Sequence, residues 1–142
     1  MTSATGILKV GIFGVGAIGQ TMAGALDRGG MRAVLIALAD QEREKAETFA
    51  GSLRSAPPVV SANELVARSD LIVEAAGQAA LAEIVPKALE HGKDLLVMSV
   101  GGLLGHKEWF DRAQERGCRL YVPSGAIAHP FSAARRLASS LE

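Results

Sequence analysis

Cysteine is almost missing from this 142-residue chain. Cys118 stands alone, which excludes an internal disulfide and a thiolate-rich zinc site and fits a reducing, cytoplasmic setting. Set between Gly117 and the strand-like run Arg119-Leu120-Tyr121-Val122, it reads as a small packed residue rather than a nucleophile. An excess of charge of either sign is missing as well. The 15 basic and 15 acidic residues offer no field for nucleic acid or an anionic membrane, so any bound anion has to be held by local backbone geometry. No apolar run reaches the length that spans a bilayer, and Met1-Thr2-Ser3-Ala4-Thr5-Gly6 lacks the regions of a signal peptide. Repeats and low-complexity tracts are absent, and the three histidines are not spaced as a metal set. What remains is a soluble domain with one core, burying roughly two thirds of the surface its unfolded chain exposes.

What the chain does have is Gly14-Val15-Gly16-Ala17-Ile18-Gly19, placed directly after the apolar run Leu8-Lys9-Val10-Gly11-Ile12-Phe13 and at the head of a helical stretch over 17–28. With glycine at 16 of 142 positions the spacing alone is weak. The strand-to-helix context makes it specific, because there each glycine has its own task. Gly14 turns the chain, Gly16 lets backbone approach a pyrophosphate, and Gly19 lets the helix pack close to the strand. The phosphates then meet the free N–H groups and positive dipole end of the helix.

A second apolar run, Val34-Leu35-Ile36-Ala37-Leu38-Ala39, ends in Asp40. That position suits a carboxylate accepting hydrogen bonds from the adenosine ribose, and it equally suits a turn or helix-capping residue. A carboxylate there disfavours a 2′-phosphate, whereas Arg43 is near enough to receive one. NAD is therefore the expected cofactor, with NADP left open.

Along the chain, short β-branched or Leu-rich runs alternate with longer helical stretches, which demands parallel strands joined by crossover helices. Helices are expected over about 17–28, 42–50, 63–68, 80–91 and 107–116. Gly29-Gly30, Gly51, Gly92 and Gly117 punctuate them, and Ser61 with Glu64 supplies a capping box. Strands are expected at 8–13, 34–39, 59–60, 71–73, 94–98 and 119–122. The result is an α/β, Rossmann-type doubly wound parallel sheet of about six strands in order 3-2-1-4-5-6, with a ligand crevice at the carboxyl ends of strands one and four.

Segments that follow strands four, five and six should line the far half of that crevice: Glu74-Ala75-Ala76-Gly77-Gln78, Ser99-Val100-Gly101-Gly102 and Pro123-Ser124-Gly125-Ala126-Ile127. All are small or polar, so backbone can approach a ligand, and Gln78, Ser99 or Ser124 can hydrogen-bond a ribose or carboxamide. The same residue types also make ordinary tight turns. Glu74 and Asp94 read as strand-end or surface carboxylates rather than an acid–base pair. His91 reads as a helix-end residue and His106 as a helix-opening one, while His129, beyond the Ser124 loop, is the best placed of the three for a role at the site.

Three blocks carry a family resemblance: Val73-Glu74-Ala75-Ala76-Gly77-Gln78; Gly92-Lys93-Asp94-Leu95-Leu96-Val97-Met98-Ser99-Val100-Gly101; and Arg116-Gly117-Cys118-Arg119-Leu120-Tyr121-Val122-Pro123-Ser124-Gly125-Ala126-Ile127. Together with the glycine segment they resemble the L-aspartate dehydrogenase family over about residues 8–128. Homoserine dehydrogenase, with a related cofactor domain, is the nearest competitor.

The resemblance implies NAD(P)-dependent interconversion of aspartate and iminoaspartate. It places Gly14, Gly16, Ala17, Ile18 and Gly19 on the pyrophosphate, Asp40 on ribose, and Ala76, Gly77, Ser99, Val100 and Ser124 around the nicotinamide. It identifies no catalytic residue and no metal. Residues 1–128 are the expected dinucleotide-binding domain, and 129–142 a short tail where the family continues into a substrate domain; His129-Pro130-Phe131-Ser132 departs from the family pattern. The chain by itself is then expected to bind the dinucleotide without turning over aspartate. The alternative is a non-catalytic NAD(P)-binding or interaction module. Partners are the dinucleotide and, with a second domain, aspartate, with a homodimer as an open assembly.

Overall fold

A computed structural model describes residues 6–123. Strand β1 (Leu8–Phe13) leads through helix α1 (Ala17–Arg28) to β2 (Ala33–Ala39), and α2 (Arg43–Ser52) and α3 (Ala62–Arg68) then carry the chain to β3 (Leu71–Glu74). A short 3-10 turn, Gln78–Ala80, opens α4 (Leu81–Glu90), followed by β4 (Asp94–Val97), a second 3-10 turn Val100–Leu103, α5 (Lys107–Arg116) and β5 (Leu120–Tyr121). All pairings are parallel, in the order β2-β1-β3-β4-β5.

Alternation along the strands separates two cores. Val10, Ile12, Leu71, Val73 and Tyr121 pack with Ala23 of α1 and Ala46 and Ala50 of α2. Ile72, Leu95, Val97 and Leu120 pack with Leu65 of α3, Ile84 and Leu89 of α4, and Trp109 and Ala113 of α5. Helices therefore cover both faces, as an all-parallel sheet requires. Gly11 faces α3, where a Cβ would run into Ser69 Oγ and come within 2.8 Å of Leu65 Cδ1, so the bare backbone sets how closely that helix approaches. Carboxylates align the amino ends of the strands: Asp70 Oδ2 accepts from Lys9 N at 2.9 Å and Asp94 Oδ1 from Arg119 N at 2.8 Å. Asp27 clamps the end of α1 to the segment before α3, and the Ser55 and Arg54 amides together with the Ser55 hydroxyl hold its carboxyl below the usual range.

Among the described residues the sheet has five strands, in the expected doubly wound order without its third member. The run at Val59-Val60 makes only an isolated parallel bridge, Leu38 to Val59. Its bonds are Leu38 N to Pro58 O at 3.0 Å and Val60 N to Leu38 O at 2.8 Å. Pro57 and Pro58 have no N–H to extend the ladder, and Ser61 already caps α3 by accepting from Glu64 N at 3.2 Å. Gly51 does not end α2 either. The helix continues through Ser52 and leaves by an extended Leu53 (φ −86°, ψ 149°), an exit that needs no left-handed residue.

The chain winds outward from β1 to β2 and then returns to place β3 on the other side of β1. The loops after β1 and β3 therefore stand at the point where the winding reverses, the carboxyl-end position at which such sheets take ligands.

Candidate dinucleotide site

The turn after β1 shows why the glycine spacing matters. Gly14 donates to Ala39 O at 2.8 Å and has φ 112°. A Cβ there would lie 2.6 Å from backbone atoms of both Ala75 and Ala76. A Cβ on Gly19 would collide with the Gly14 carbonyl oxygen. Gly16 is different: as the N-cap of α1, it has nothing within 4 Å of where a Cβ would be. Two glycines are thus demanded by the fold itself, and the third leaves free space at a helix terminus.

That terminus suits an anion. No side chain caps α1 and no acidic residue lies in its first turn, whereas α2, α3, α4 and α5 carry Glu44, Glu64, Glu83 and Glu108 there. Ala17 and Ile18 of the first turn are exposed, Ile18 at 51%. The open cradle and unneutralised dipole fit a pyrophosphate.

Asp40 takes the turn role expected of it. Its Oδ2 accepts from Val15 N at 2.7 Å, inside the glycine turn, and its Oδ1 accepts from Glu42 N at 2.7 Å, ahead of α2. Each oxygen keeps a further lone pair for a ligand. Beside it is a cleft of about 140 Å³ built from segments distant in the chain. Its lining is apolar at Phe13, Ala39, Val59, Val60 and Ala62, and polar at Asp40, Gln41, Arg43, Ser61 and Glu83. The sequence signal for it is the run Val59-Val60 itself, which reaches the same sheet edge without forming a full strand. Arg43 is tethered, with Nη2 donating to Val59 O and Nε to Glu47 Oε1, each at 3.0 Å.

Glu74 organises the far half. It is fully buried at the end of β3. Oε2 accepts from Ala76 N, Gly77 N and Ser99 Oγ, and Oε1 from Ser99 N, each at 2.9 Å. The structure thus brings Ala76, Gly77 and Ser99 together, with Val100 next in chain, and butts them against Gly14 through Ala75. The Ser99 hydroxyl spends its only proton on Glu74 and offers a ligand lone pairs alone. Gln78 lies against Gly101, whose Cβ would be 2.5 Å from Gln78 Nε2. Ser124 and His129 lie outside the described residues.

The other candidates have structural settings. His91 Nδ1 lies 2.8 Å from Lys87 O at the end of α4. His106, the N-cap of α5, stacks on Trp109 at 3.7 Å and pairs with Glu108 at 2.9 Å. Burial, with a smaller contribution from Asp94, pushes the Cys118 thiol pKa up, so it is a packed residue. Among the described residues no cluster of His, Cys, Asp or Glu could hold a metal ion, and no helix is long and apolar enough to cross a membrane.

Residues 14–123 match the family model described as "Homoserine dehydrogenase, NAD binding domain". Curated relatives include L-aspartate dehydrogenases from Methanocella arvoryzae, 42% identical over 85% of this chain and 46% of that protein, and from Bradyrhizobium diazoefficiens, 39% identical over 88% and 44%. The chain spans about half the length of the curated relatives it matches. Similar solved structures include UDP-N-acetylglucosamine 3-dehydrogenase from Acidithiobacillus ferrooxidans, with TM-score 0.74 and 22% identity over 93% of this chain and 43% of that one. Another is myo-inositol dehydrogenase from Lactobacillus casei in complex with NAD(H) and myo-inositol, with TM-score 0.72 and 19% identity over 94% and 42%.

Proposed function

The chain belongs to the homoserine dehydrogenase NAD-binding domain family, and from that premise we propose that it is the cofactor half of an oxidoreductase of the L-aspartate dehydrogenase kind. The observation that carries this reading is the open space at Gly16, at the head of a helix with no acid in its first turn. Gly14 and Gly19 shape the turn, while Gly16, Ala17 and Ile18 present backbone N–H groups to the pyrophosphate. Asp40 accepts from the ribose hydroxyls, and the slot between Val59, Val60 and Ala62 takes the adenine. Ala76, Gly77, Ser99, Val100 and Ser124 surround the nicotinamide. Bound NAD supplies the hydride acceptor and NADH the donor, exchanged with the Cα of aspartate or iminoaspartate. What this half contributes is orientation: it fixes the dinucleotide at both ends so that one face of the ring is presented outward.

Residues 1–128 form the dinucleotide domain in this reading, working in the cytoplasm, with aspartate held by further chain such as the relatives possess and a homodimer as the assembly. Calorimetric titration tests it. The 142-residue chain should bind NADH saturably yet turn over aspartate poorly or not at all. Full-rate NAD-dependent aspartate oxidation by this chain would overturn the division of labour. Absence of NADH binding would overturn the reading itself. NADH binding that persists without aspartate activity even when the remaining length of such a relative is joined to it would favour a non-catalytic NAD(P)-binding module.

Asp40→Ala tests the ribose contact. The variant loses the acceptor for Val15 N and for the 2′- and 3′-hydroxyls, so NADH affinity should drop about tenfold. NADPH should lose less than threefold, because removing the carboxylate also removes repulsion of the 2′-phosphate and leaves Arg43 in place. A larger loss for NADPH than for NADH would show that Asp40 does not read the ribose.

A further inference from the structure

Glu74 is the one charged residue among the described residues that is buried, and its four recorded partners are all neutral donors. Burying a carboxylate without a cation is costly, and it persists only where hydrogen bonds replace the lost water. Here they do so by joining two segments 25 residues apart, the turn after β3 and the turn after β4. A neutral amide cannot take its place without conflict, since one of its two ends is a donor and would face either Ser99 N or the cluster of Ala76 N, Gly77 N and Ser99 Oγ. The first of the two joined turns also abuts the phosphate loop, because Gly14 packs within van der Waals reach of Ala75 and Ala76. One buried carboxylate therefore fixes the spacing of these two turns, while the phosphate loop beside them has its own anchors in Gly14 N to Ala39 O and Val15 N to Asp40 Oδ2.

We propose that Glu74 is a positioning residue for the nicotinamide half of the cofactor, acting through the Ala76-Gly77 turn and Ser99 and touching no ligand itself. The proposal rests on the nicotinamide placement given above. In Glu74→Gln the donor conflict loosens these turns but leaves Asp40, Gly16 and the Val59-Val60 slot intact. NADH, which uses both halves of the crevice, should weaken about tenfold, the worth of one charge-assisted hydrogen bond. ADP-ribose, which lacks the nicotinamide, should bind within twofold of its affinity for the native chain.

Calorimetry of NADH and ADP-ribose on the native 142-residue chain and on Glu74→Gln makes the test. A selective loss of NADH supports the positioning role. Parallel losses of both ligands would reduce Glu74 to a general structural cap, and unchanged affinities would remove it from binding; either overturns the proposal. If the native chain bound neither ligand, the cofactor reading would fail instead. Should Glu74→Gln not fold, the native chain decides by NMR. NADH should then shift the Glu74 side-chain carboxyl carbon and the amides of Ala76, Gly77 and Ser99, while ADP-ribose leaves them in place. Equal shifts with both ligands, or none with NADH, would overturn it.

Discussion

Gly16→Val should abolish measurable NADH binding, a loss of at least about 100-fold or roughly 3 kcal/mol, while leaving the fold in place. The two halves of this expectation have separate causes. The Gly16 backbone has φ −78°, which a β-branched residue adopts readily, and a Cβ there meets no atom within 4 Å. The stability cost is then the poorer helix cap that Val makes compared with Gly, about 1 kcal/mol, or a few degrees in melting temperature for a domain of this size. The binding cost is larger because the isopropyl group fills the space in which the pyrophosphate meets the α1 amides. Hydrogen bonds to a charged group are worth about 1.5–3 kcal/mol each, and several are lost together. Thermal melting beside an NADH titration makes the comparison. Retained NADH affinity in a folded Gly16→Val chain would remove the glycine turn from cofactor binding.

Gly14→Ala, two residues earlier, should do the opposite and damage the fold first. At φ 112° an alanine is strained by about 1–3 kcal/mol. Its Cβ would also stand 2.6 Å from backbone atoms of Ala75 and Ala76, which cannot rotate away as a side chain can. Overpacking of this kind adds about 1–3 kcal/mol. A total near 4 kcal/mol should lower the melting temperature by about 10 °C or more. Backing the loop away from Ala75 would press Gly14 toward Ala39 on the other side of β1, whose carbonyl it already meets at 2.8 Å, so the strain has no cheap exit. Circular dichroism melts would check this, and a Gly14→Ala chain melting within two degrees of the native one would contradict it. The contrast between Gly14 and Gly16 separates what the fold requires of this motif from what the ligand requires.

Local features of the chain were legible for a physical reason. The limits of α1 at residues 17 and 28 and of α5 at 107 and 116 coincide with those expected, because glycines taking positive φ at 29 and 117 end both helices whatever surrounds them. The Ser61 cap is equally local. The run Val59-Val60 depends on more than its own residues. Its β-branched residues favour a strand, but ladder length depends on what β2 can offer and on Pro57 and Pro58 beside it, and only one bridge forms. Gly51 failed similarly, since the direction in which the chain must leave α2 is set by the packing ahead of it.

By itself, then, the sequence determined the doubly wound α/β architecture, the glycine turn between strand and helix, and the family, since all three follow from the identity and spacing of near neighbours. Only the tertiary structure decided that Asp40 holds Val15 N, that Glu74 joins the turns at 76–77 and 99, and that Val59, Val60 and Glu83 line a cleft beside Asp40. Those contacts bridge residues far apart in the chain. They exist because parallel register brings successive strand ends to one edge of the sheet, where groups with no sequence relation meet.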